Sequence, residues 1–422
     1  MIPGTGALSE PYADGRFGFA QIIHTKRDQL VASGDKAVGA GVLHLAVGYA
    51  EHGQDSWYGG DADYFGKQRQ TYLESSYKQA FNATLLTAGL SYRYEDLHSR
   101  SFSLNDATAQ VLDADAYVYR TPGVFVQAYR VFFDDKLEVN ASLRYDQNNV
   151  YGGITTPRLN ALWHHTDEAS SRLSLGTGYR LPTSFFELEH AVLQASSMDR
   201  SQAKAETSEN LSYAWNYAGD RLAATVSANH TRIKNLALFV EDPVVVGGLR
   251  LQPAASAYTV NNVDFVGTWQ VTAKNALTLG LEHYQYNFNS ADFQGSLFVR
   301  PEDRLMLGFE HTEGPWSVNL KATYTGPQNL AKFFDYANAP RYNLNGQPKS
   351  DWSPSFWVLD LHANYQVNKT VSAYVGVTNL LNEKQASKDS FLWLDAEGAP
   401  DVTHIWGPNL GRAVSAGVKI NF

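Results

Sequence analysis

The chain ends Arg412-Ala413-Val414-Ser415-Ala416-Gly417-Val418-Lys419-Ile420-Asn421-Phe422, and this stretch decides the fold. One parity is apolar: Val414, Ala416, Val418, Ile420 and Phe422. The other is small or polar: Ala413, Ser415, Gly417, Lys419 and Asn421. A period of two is the pattern of a β-strand with one apolar and one wet face. It recurs along the chain. Leu137, Val139, Ala141, Leu143 and Tyr145 oppose Glu138, Asn140, Ser142, Arg144 and Asp146, and Trp316, Val318, Leu320, Ala322 and Tyr324 oppose Ser317, Asn319, Lys321, Thr323 and Thr325. What remains to decide is the solvent on the apolar side.

Composition narrows the choice. The formal net charge is -9, which leaves no basic footprint for nucleic acid. There is no apolar run long enough for a transmembrane helix, but a barrel strand needs only about nine to eleven residues with every second one apolar. Aromatic residues make up 13% of the chain, as girdles at two bilayer interfaces would require. Several apolar faces end on Tyr or Trp, and the charges keep to the opposite face. The 422 residues contain no Cys, compatible with passage through an oxidising periplasm. The opening Met1 to Gly15 lacks the basic and apolar regions of a signal peptide.

The connections alternate as well. Short turns fall at Asp134-Asp135, Asp167 to Ser170, Gly219-Asp220, Lys274-Asn275, Glu313-Gly314 and Asn368-Lys369. Long loops are expected at His98 to Arg120, Leu181 to Ala203, Leu238 to Ser256, Gln328 to Pro354 and Asn382 to Asn409. Short turns on one rim and long loops on the other are what outer-membrane barrels have. The expected fold is therefore all-β: an antiparallel transmembrane β-barrel of about 16–18 strands, running from Gly15–Thr25 to the carboxy terminus. Gly66 to Tyr77 is the weakest strand, and Lys26 to Gly39 reads as a segment too long for a periplasmic turn.

Several local patterns converge on one family. Thr155-Thr156-Pro157-Arg158-Leu159 is followed by Gly176-Thr177-Gly178-Tyr179-Arg180-Leu181-Pro182-Thr183, then Glu187-Leu188. Glu206, Ser208 and Asn210 head a later strand. Near the end stand Asn379-Leu380-Leu381-Asn382, Ile405-Trp406-Gly407-Pro408, Gly411-Arg412 and Phe422. In this order they resemble the barrel of TonB-dependent outer-membrane receptors, in particular the siderophore and vitamin B12 receptor branch. That family usually reads Gly-Phe-Arg-Ala-Pro where this chain has Gly178-Tyr179-Arg180-Leu181-Pro182. The resemblance covers Thr155 to Phe422; the preceding chain matches in texture only.

The resemblance implies a barrel of about twenty-two strands, an amino-terminal plug and a Ton box. Neither plug nor Ton box is found here, so residues 1–422 are expected to be a partial barrel lacking plug and signal peptide. An open strand edge in lipid costs several kcal/mol per unpaired group, so the chain alone is not expected to close as a 22-strand pore. The implied partners are outer-membrane lipid, an extracellular metal chelate, and the TonB complex through the missing plug. The implied state is a monomer in the outer membrane of a Gram-negative bacterium. No cofactor is implied.

Ligand contacts would come from loops and upper lumen-facing residues. The candidates are Trp57, Tyr58, Phe333, Phe334, Tyr336, Arg341, Tyr342, Trp393, His404 and Trp406: aromatics with cations, suited to an anionic iron chelate. The competing reading is that the loop aromatics pack on themselves or form the outer girdle. Asp395, Glu397, Asp401 and His404 cluster in sequence without the spacing of an EF-hand, and no metal site is assigned. Arg93, Arg144, Arg158 and Arg180, with Glu138 and Asp146, form either a plug-facing charge ladder or an ordinary solvated wall. His164 and His165 face opposite ways on a strand and cannot easily share a metal. No Ser, His and acid fall at one level of neighbouring strands, so the chain is not read as an enzyme. The leading function is TonB-dependent uptake of a ferric siderophore or similar chelate. The alternative is a complete passive porin of about 16–18 strands, with a membrane-embedded hydrolase third.

Overall fold

The computed structural model describes residues 21–58, 62–103, 106–112, 116–183, 197–246, 248–288 and 299–421. Strand dominates it, and eighteen strands fall in the main sheet, inside the expected range. The chain divides into two compact units, each described by itself.

The first unit comprises Met1–Ala161, Leu175–Glu209 and Ile233–Ala257. It begins with β1 (Gln21–Val38), β2 (Gly41–Tyr58), β3 (Ala62–Phe81), β4 (Thr84–Ser103), β5 (Asp106–Leu112), β6 (Tyr117–Phe132) and β7 (Leu137–Asn148). These pair antiparallel in sequence, with β4 holding both β5 and β6. The chain continues through β8 (Gly152–His164), β9 (Ala169–Arg180), β10 (Met198–Asp199), β11 (Glu206–Ala218) and β12 (Leu222–Lys234). β13 (Ala237–Glu241) and β14 (Leu249–Pro253) pair antiparallel, and β10 joins β14 in a small separate sheet.

Register shows which side is wet. Leu45, Ser75, Leu90, Val124 and Tyr145 lie in one row across β2, β3, β4, β6 and β7. Leu90 is 62% exposed and Val124 50%. On the other face Asp146 is fully buried and Thr121 is 2% exposed. A sheet folded in water hides its apolar face and shows its polar one. This sheet does the reverse, which is the arrangement of a wall bathed by lipid.

The second unit comprises Leu162–Ser174, Asn210–Arg232 and Tyr258–Phe422. It takes in most of β11 and β12, and then β15 (Tyr258–Thr272), β16 (Asn275–Asn287), β17 (Asp303–Glu313), β18 (Trp316–Thr325), β19 (Phe356–Gln366), β20 (Val371–Thr378) and β23 (Ala413–Ile420), each of these seven antiparallel to the next. A one-turn helix α1 (Leu330–Phe333) and the minimal strands β21 (Trp393–Leu394) and β22 (Pro400–Asp401) lie in the connections.

Trp269, Leu277, Phe309, Leu320, Leu361, Val377 and Val414 form one unbroken apolar row over all seven strands. Aromatic pairs bracket it. Trp316 packs on Tyr365 at 4.6 Å near the short turns, and Tyr324 on Trp357 at 5.1 Å near the long loops. Both pairs face the same way as Leu320. From Trp316 to Tyr324 is roughly 27 Å at about 3.4 Å per residue, the height of a barrel's apolar band between its girdles.

Two expectations need correction, and the weakest strand reading holds. Lys26 to Gly39 is strand, not loop: β1 runs to Val38 and turns at Gly39, whose φ of +56° suits glycine. Its period is masked because Lys26, Asp28 and Lys36 share a parity with Leu30, Ala32 and Val38. Gly66 to Tyr77, the weakest reading, sits inside the 20-residue β3. His98 to Arg120 is largely strand, since β4 runs to Ser103 and β6 starts at Tyr117. Strands as long as β3 and β4 span roughly 65 Å at about 3.3 Å per residue, far beyond an apolar band about 25 Å tall. Above that band no face has to be apolar, and the period disappears although the hydrogen-bond ladder continues. The start of the strand expected from Gly15, the Glu187-Leu188 motif, Phe422 and the side chains of Trp57 and Tyr58 lie outside the described residues.

Candidate functional site

In the second unit the two long loops expected at Gln328 to Pro354 and Asn382 to Asn409 form one body. A backbone pair ties them, Tyr342 N–H donating to Leu394 O and Leu394 N–H to Tyr342 O, each at 2.9 Å. In the first loop, the Asn329 side chain caps α1 by accepting from Lys332 N–H. The helix thereby turns Leu330, Phe333 and Phe334 inward, where each is 1% exposed. Phe334 and Leu330 pack with Trp406 of the second loop. Gln328 Nε2 donates to Trp406 O at 2.8 Å, and Gln385 Oε1 accepts from the amides of Trp406 and Gly407.

Asp389 is the polar hub of this cap. Its carboxylate accepts from Lys349 Nζ at 2.6 Å, His404 Nε2 at 3.0 Å and Trp406 Nε1 at 3.1 Å. Burial alone would raise its pKa, but the three donors prevail and hold it well below the ordinary carboxylate range. His404 is fully buried. Burial, with Lys349 and Arg341 nearby, pushes its pKa down and outweighs the hydrogen bond to Asp389. The ring is therefore neutral with its proton on Nε2, leaving Nδ1 with no partner.

A pH dependence follows. Once the cap opens, His404 titrates near 6.5; in the closed cap it stays neutral to lower pH. The open form thus binds more protons below about pH 6.5, and closure weakens by up to about 1.4 kcal/mol per pH unit until His404 also protonates in place. Asp389 adds to the trend at lower pH: its contribution is present above about 3.9 and fades as pH falls toward its depressed value. Protection factors of the amides across 385–406, with the intrinsic pH dependence of exchange divided out, are expected to fall several-fold between pH 7.5 and pH 5.5, and unchanged protection would refute the neutral, closed state of His404.

Arg341 occupies the seam between the loops. Its guanidinium lies over Phe334 at 4.0 Å and over Trp393 at 4.1 Å. The residue is 9% exposed, and Nε and Nη1 have no hydrogen-bond partner. Burial lowers its pKa, with Tyr336 and Asp401 opposing. The Tyr336 hydroxyl is also without a partner. An aromatic-clamped cation flanked by a phenol is a donor set for an anionic or π-rich ligand.

The structure brings Phe334, Tyr336, Arg341, Tyr342, Trp393, His404 and Trp406 into this one cap. Phe333 belongs to it too, with its ring against Tyr286 and Phe288. Phe333, Phe334, His404 and Trp406 are buried supports and not surfaces open to a ligand, whereas Tyr336, Tyr342 and Trp393 are half-buried. Asp395 and Asp401 hold turns, accepting from the amides of Ala399 and Thr403. Among the described residues, no three metal-ligating side chains converge. Lys349, Asp389, Gln328 and Gln385 escaped the sequence reading, because contacts between residues fifteen to 78 positions apart, in loops without a repeat, leave no periodic trace.

The arginines expected to face a plug lie on the polar wall of the first unit. Asp146 receives Arg144 through Nε at 2.7 Å and Nη2 at 2.6 Å, and Arg93 at 3.3 Å. Arg180 grips Glu206 with two bonds, at 2.7 and 2.9 Å. The Arg158 stem packs where Gly176 lacks a side chain. Arg93, Arg144 and Arg180 are thus engaged by the wall's own carboxylates. Beside them the wall carries buried tyrosines that were not anticipated. Tyr117 donates to Glu95 at 2.7 Å, and Tyr119 donates to Pro182 O at 2.8 Å.

Comparison with known proteins settles what kind of wall this is. The family model for the β-barrel of TonB dependent receptor-like proteins matches residues 7–380. The chain belongs to this family. A probable TonB-dependent receptor of Bordetella pertussis, BfrD, is 43% identical over 54 residues, 13% of this chain and 7% of that protein. Among solved structures, a ferric enterobactin receptor mutant (PfeA) from Pseudomonas aeruginosa aligns over 98% of this chain and 64% of its own, with TM-score 0.73 and 14% identity. The copper transporter OprC aligns over 96% of this chain and 66% of its own, with TM-score 0.69 and 17% identity. At such identities the likeness is one of fold. The chain spans about two thirds of the length of these solved receptors. This TonB-dependent receptor barrel belongs to a family of outer-membrane receptors and transporters and not of enzymes, and the match does not favour the porin alternative.

Proposed function

We propose that this barrel serves TonB-dependent uptake, across the outer membrane of a Gram-negative bacterium, of a ferric siderophore or a similar anionic metal chelate. The observation that carries the reading is Arg341, clamped between aromatic rings of two interlocked loops with two guanidinium nitrogens unpartnered. A metal chelate with aromatic or carboxylate donors offers the negative charge and the π-surface that such a clamp accepts. Tyr336, Tyr342 and Trp393 are proposed as contacts. Phe333, Phe334, His404 and Trp406 hold the clamp in shape, and Trp57 and Tyr58 remain candidate contacts on β2. On the wall, Arg93, Arg144, Arg158 and Arg180 are proposed to stiffen the strands against a plug more than to donate free charge to it.

The test is tryptophan fluorescence quenching of the purified full chain in detergent, titrated with ferric catecholate and ferric hydroxamate chelates. Saturable quenching by at least one chelate is expected. Arg341→Ala should weaken it about tenfold, equivalent to about 1.4 kcal/mol. A steady open-channel conductance with no chelate binding would instead favour the porin.

A further inference from the structure

The cap already uses the broad faces of the Arg341 guanidinium. Phe334 of one loop lies 4.0 Å from its central carbon and Trp393 of the other 4.1 Å, both stacking distances for a planar cation. The backbone fixes it there. Lys349 N–H donates to Arg341 O at 2.8 Å, and the next residue, Tyr342, makes the paired bonds to Leu394. A ligand ring can still meet half-buried Tyr342 or Trp393, but it has no face of this cation to stack on. What remains is the edge, where Nε and Nη1 lie buried without a partner.

No acid of the cap serves that edge. Asp389 is taken by Lys349, His404 and Trp406, and Asp401 by the amide of Thr403. Among the described residues Arg341 forms no ion pair, although it is 9% exposed. Water can accept from one N–H, but it leaves the charge unpaired, and a buried cation without an anion is costly. Tyr336 adds a third donor. Its ring stacks on Phe334 at 6.3 Å, and its hydroxyl has no partner. Burial raises the pKa of this phenol, which keeps its proton available to donate.

In-plane donors on a cation fit the flat pair of oxygens of a carboxylate. The chelate classes differ in what they turn outward. A carboxylate that binds a metal through one oxygen leaves the other free and partly charged. A catecholate commits both oxygens to the metal and turns a hydrocarbon ring edge outward. A hydroxamate also commits both oxygens, and its ferric complex carries no net negative charge.

We propose that Arg341 and Tyr336 take a free carboxylate oxygen of the cargo edge-on, so that this cap selects a polycarboxylate or hydroxycarboxylate complex of iron over a catecholate one. The inference rests on the uptake role given above and narrows it to one chelate class. The incoming carboxylate supplies the anion that Arg341 lacks. Because Phe334 and Trp393 come from different loops, the filled clamp also holds the two loops together.

The experiment is equilibrium dialysis of the purified full chain in detergent against radiolabelled iron as its citrate, tris-catecholate and tris-hydroxamate complexes. The citrate complex is expected to bind about tenfold more tightly than either of the others. Tyr336→Phe, which removes only the hydroxyl, should weaken citrate-complex binding about fivefold and leave the catecholate within about twofold. Arg341→Lys keeps the charge but loses the planar edge, and should cost the citrate complex about tenfold. Limited proteolysis of loops 328–354 and 382–409 checks that each variant keeps its cap; if Arg341→Lys loosens it, Tyr336→Phe decides alone. A catecholate complex bound as tightly as citrate, or a Tyr336→Phe loss equal for both, overturns the carboxylate assignment while leaving chelate uptake standing. Absence of saturable binding for all three complexes would sink the uptake role itself.

Discussion

Leu320→Arg is expected to destabilise the protein in a bilayer by about 2–4 kcal/mol, the cost of placing a guanidinium on a barrel's lipid face near the midplane. Leu320 is the middle residue of an apolar row that crosses seven strands, four positions from Trp316 and four from Tyr324. No polar neighbour on that face can accept the charge, because its cross-strand neighbours are Phe309 and Leu361. Moving the substitution to Val318 or Ala322 should lessen the effect as the arginine reaches an interface. Asn319→Arg, one residue away but on the wet face, should change stability by less than about 1 kcal/mol. Denaturant titration of vesicle-folded protein reads all four variants. A loss that ignores depth, or that is equal for Asn319, would mean the apolar row faces something other than hydrocarbon.

How much of this was legible in the sequence follows from where alternation is enforced. Between the aromatic rows, lipid on one side and polar groups on the other force a strict period of two. Trp316 to Tyr324 and Val414 to Ile420 could therefore be read directly. β1 could not, since Lys26, Asp28 and Lys36 interrupt its apolar parity; it is defined by pairing with β2, as in Leu30 with Tyr49. The upper half of β4 was hidden for another reason: past Tyr94 the apolar parity carries Asp96, His98 and Arg100, and strand continuity there rests on the ladder to β3.

The loop cap illustrates the limit more sharply. Aromatic and cationic residues in both long loops marked them as candidates, and Arg341 with Trp393 did prove to be in contact. Composition could not say which aromatics would be used internally. Asn329 starts a short helix that points Phe333 and Phe334 inward, and that local decision removes two candidate contacts from any ligand. Lys349 and Asp389 lie forty residues apart and follow no repeat, so only the folded chain identifies the pair.

Asp389→Ala is expected to undock the two loops. Lys349, 4% exposed, would be left buried without its anion, and breaking a buried pair on one side costs about 3–5 kcal/mol. The substitution also orphans the Nε2 proton of His404 and the Nε1 proton of Trp406, each at a further cost of order 1–3 kcal/mol if water cannot enter. Between the loops there remain one backbone pair at Tyr342 and Leu394, the Gln328 bond to Trp406 O, the Lys349 bond to Ser390 O, the Arg341 contact with Trp393, and the packing of Phe334 against Trp406. Loops 328–354 and 382–409 should therefore become protease-sensitive, while the ladders of β15 to β20 keep their protection, since none of their bonds passes through Asp389. Lys349→Met with Asp389→Leu should restore part of the protection by removing both charges, but not all of it, because His404 and Trp406 still lack an acceptor. Chelate affinity is expected to follow the cap. Phe334 comes from one loop and Trp393 from the other, so the clamp on Arg341 exists only while the loops are docked. If Asp389→Ala left the loops resistant to protease yet weakened chelate binding as much as Arg341→Ala, Asp389 would be touching the ligand itself, and the hub could no longer be regarded as purely structural.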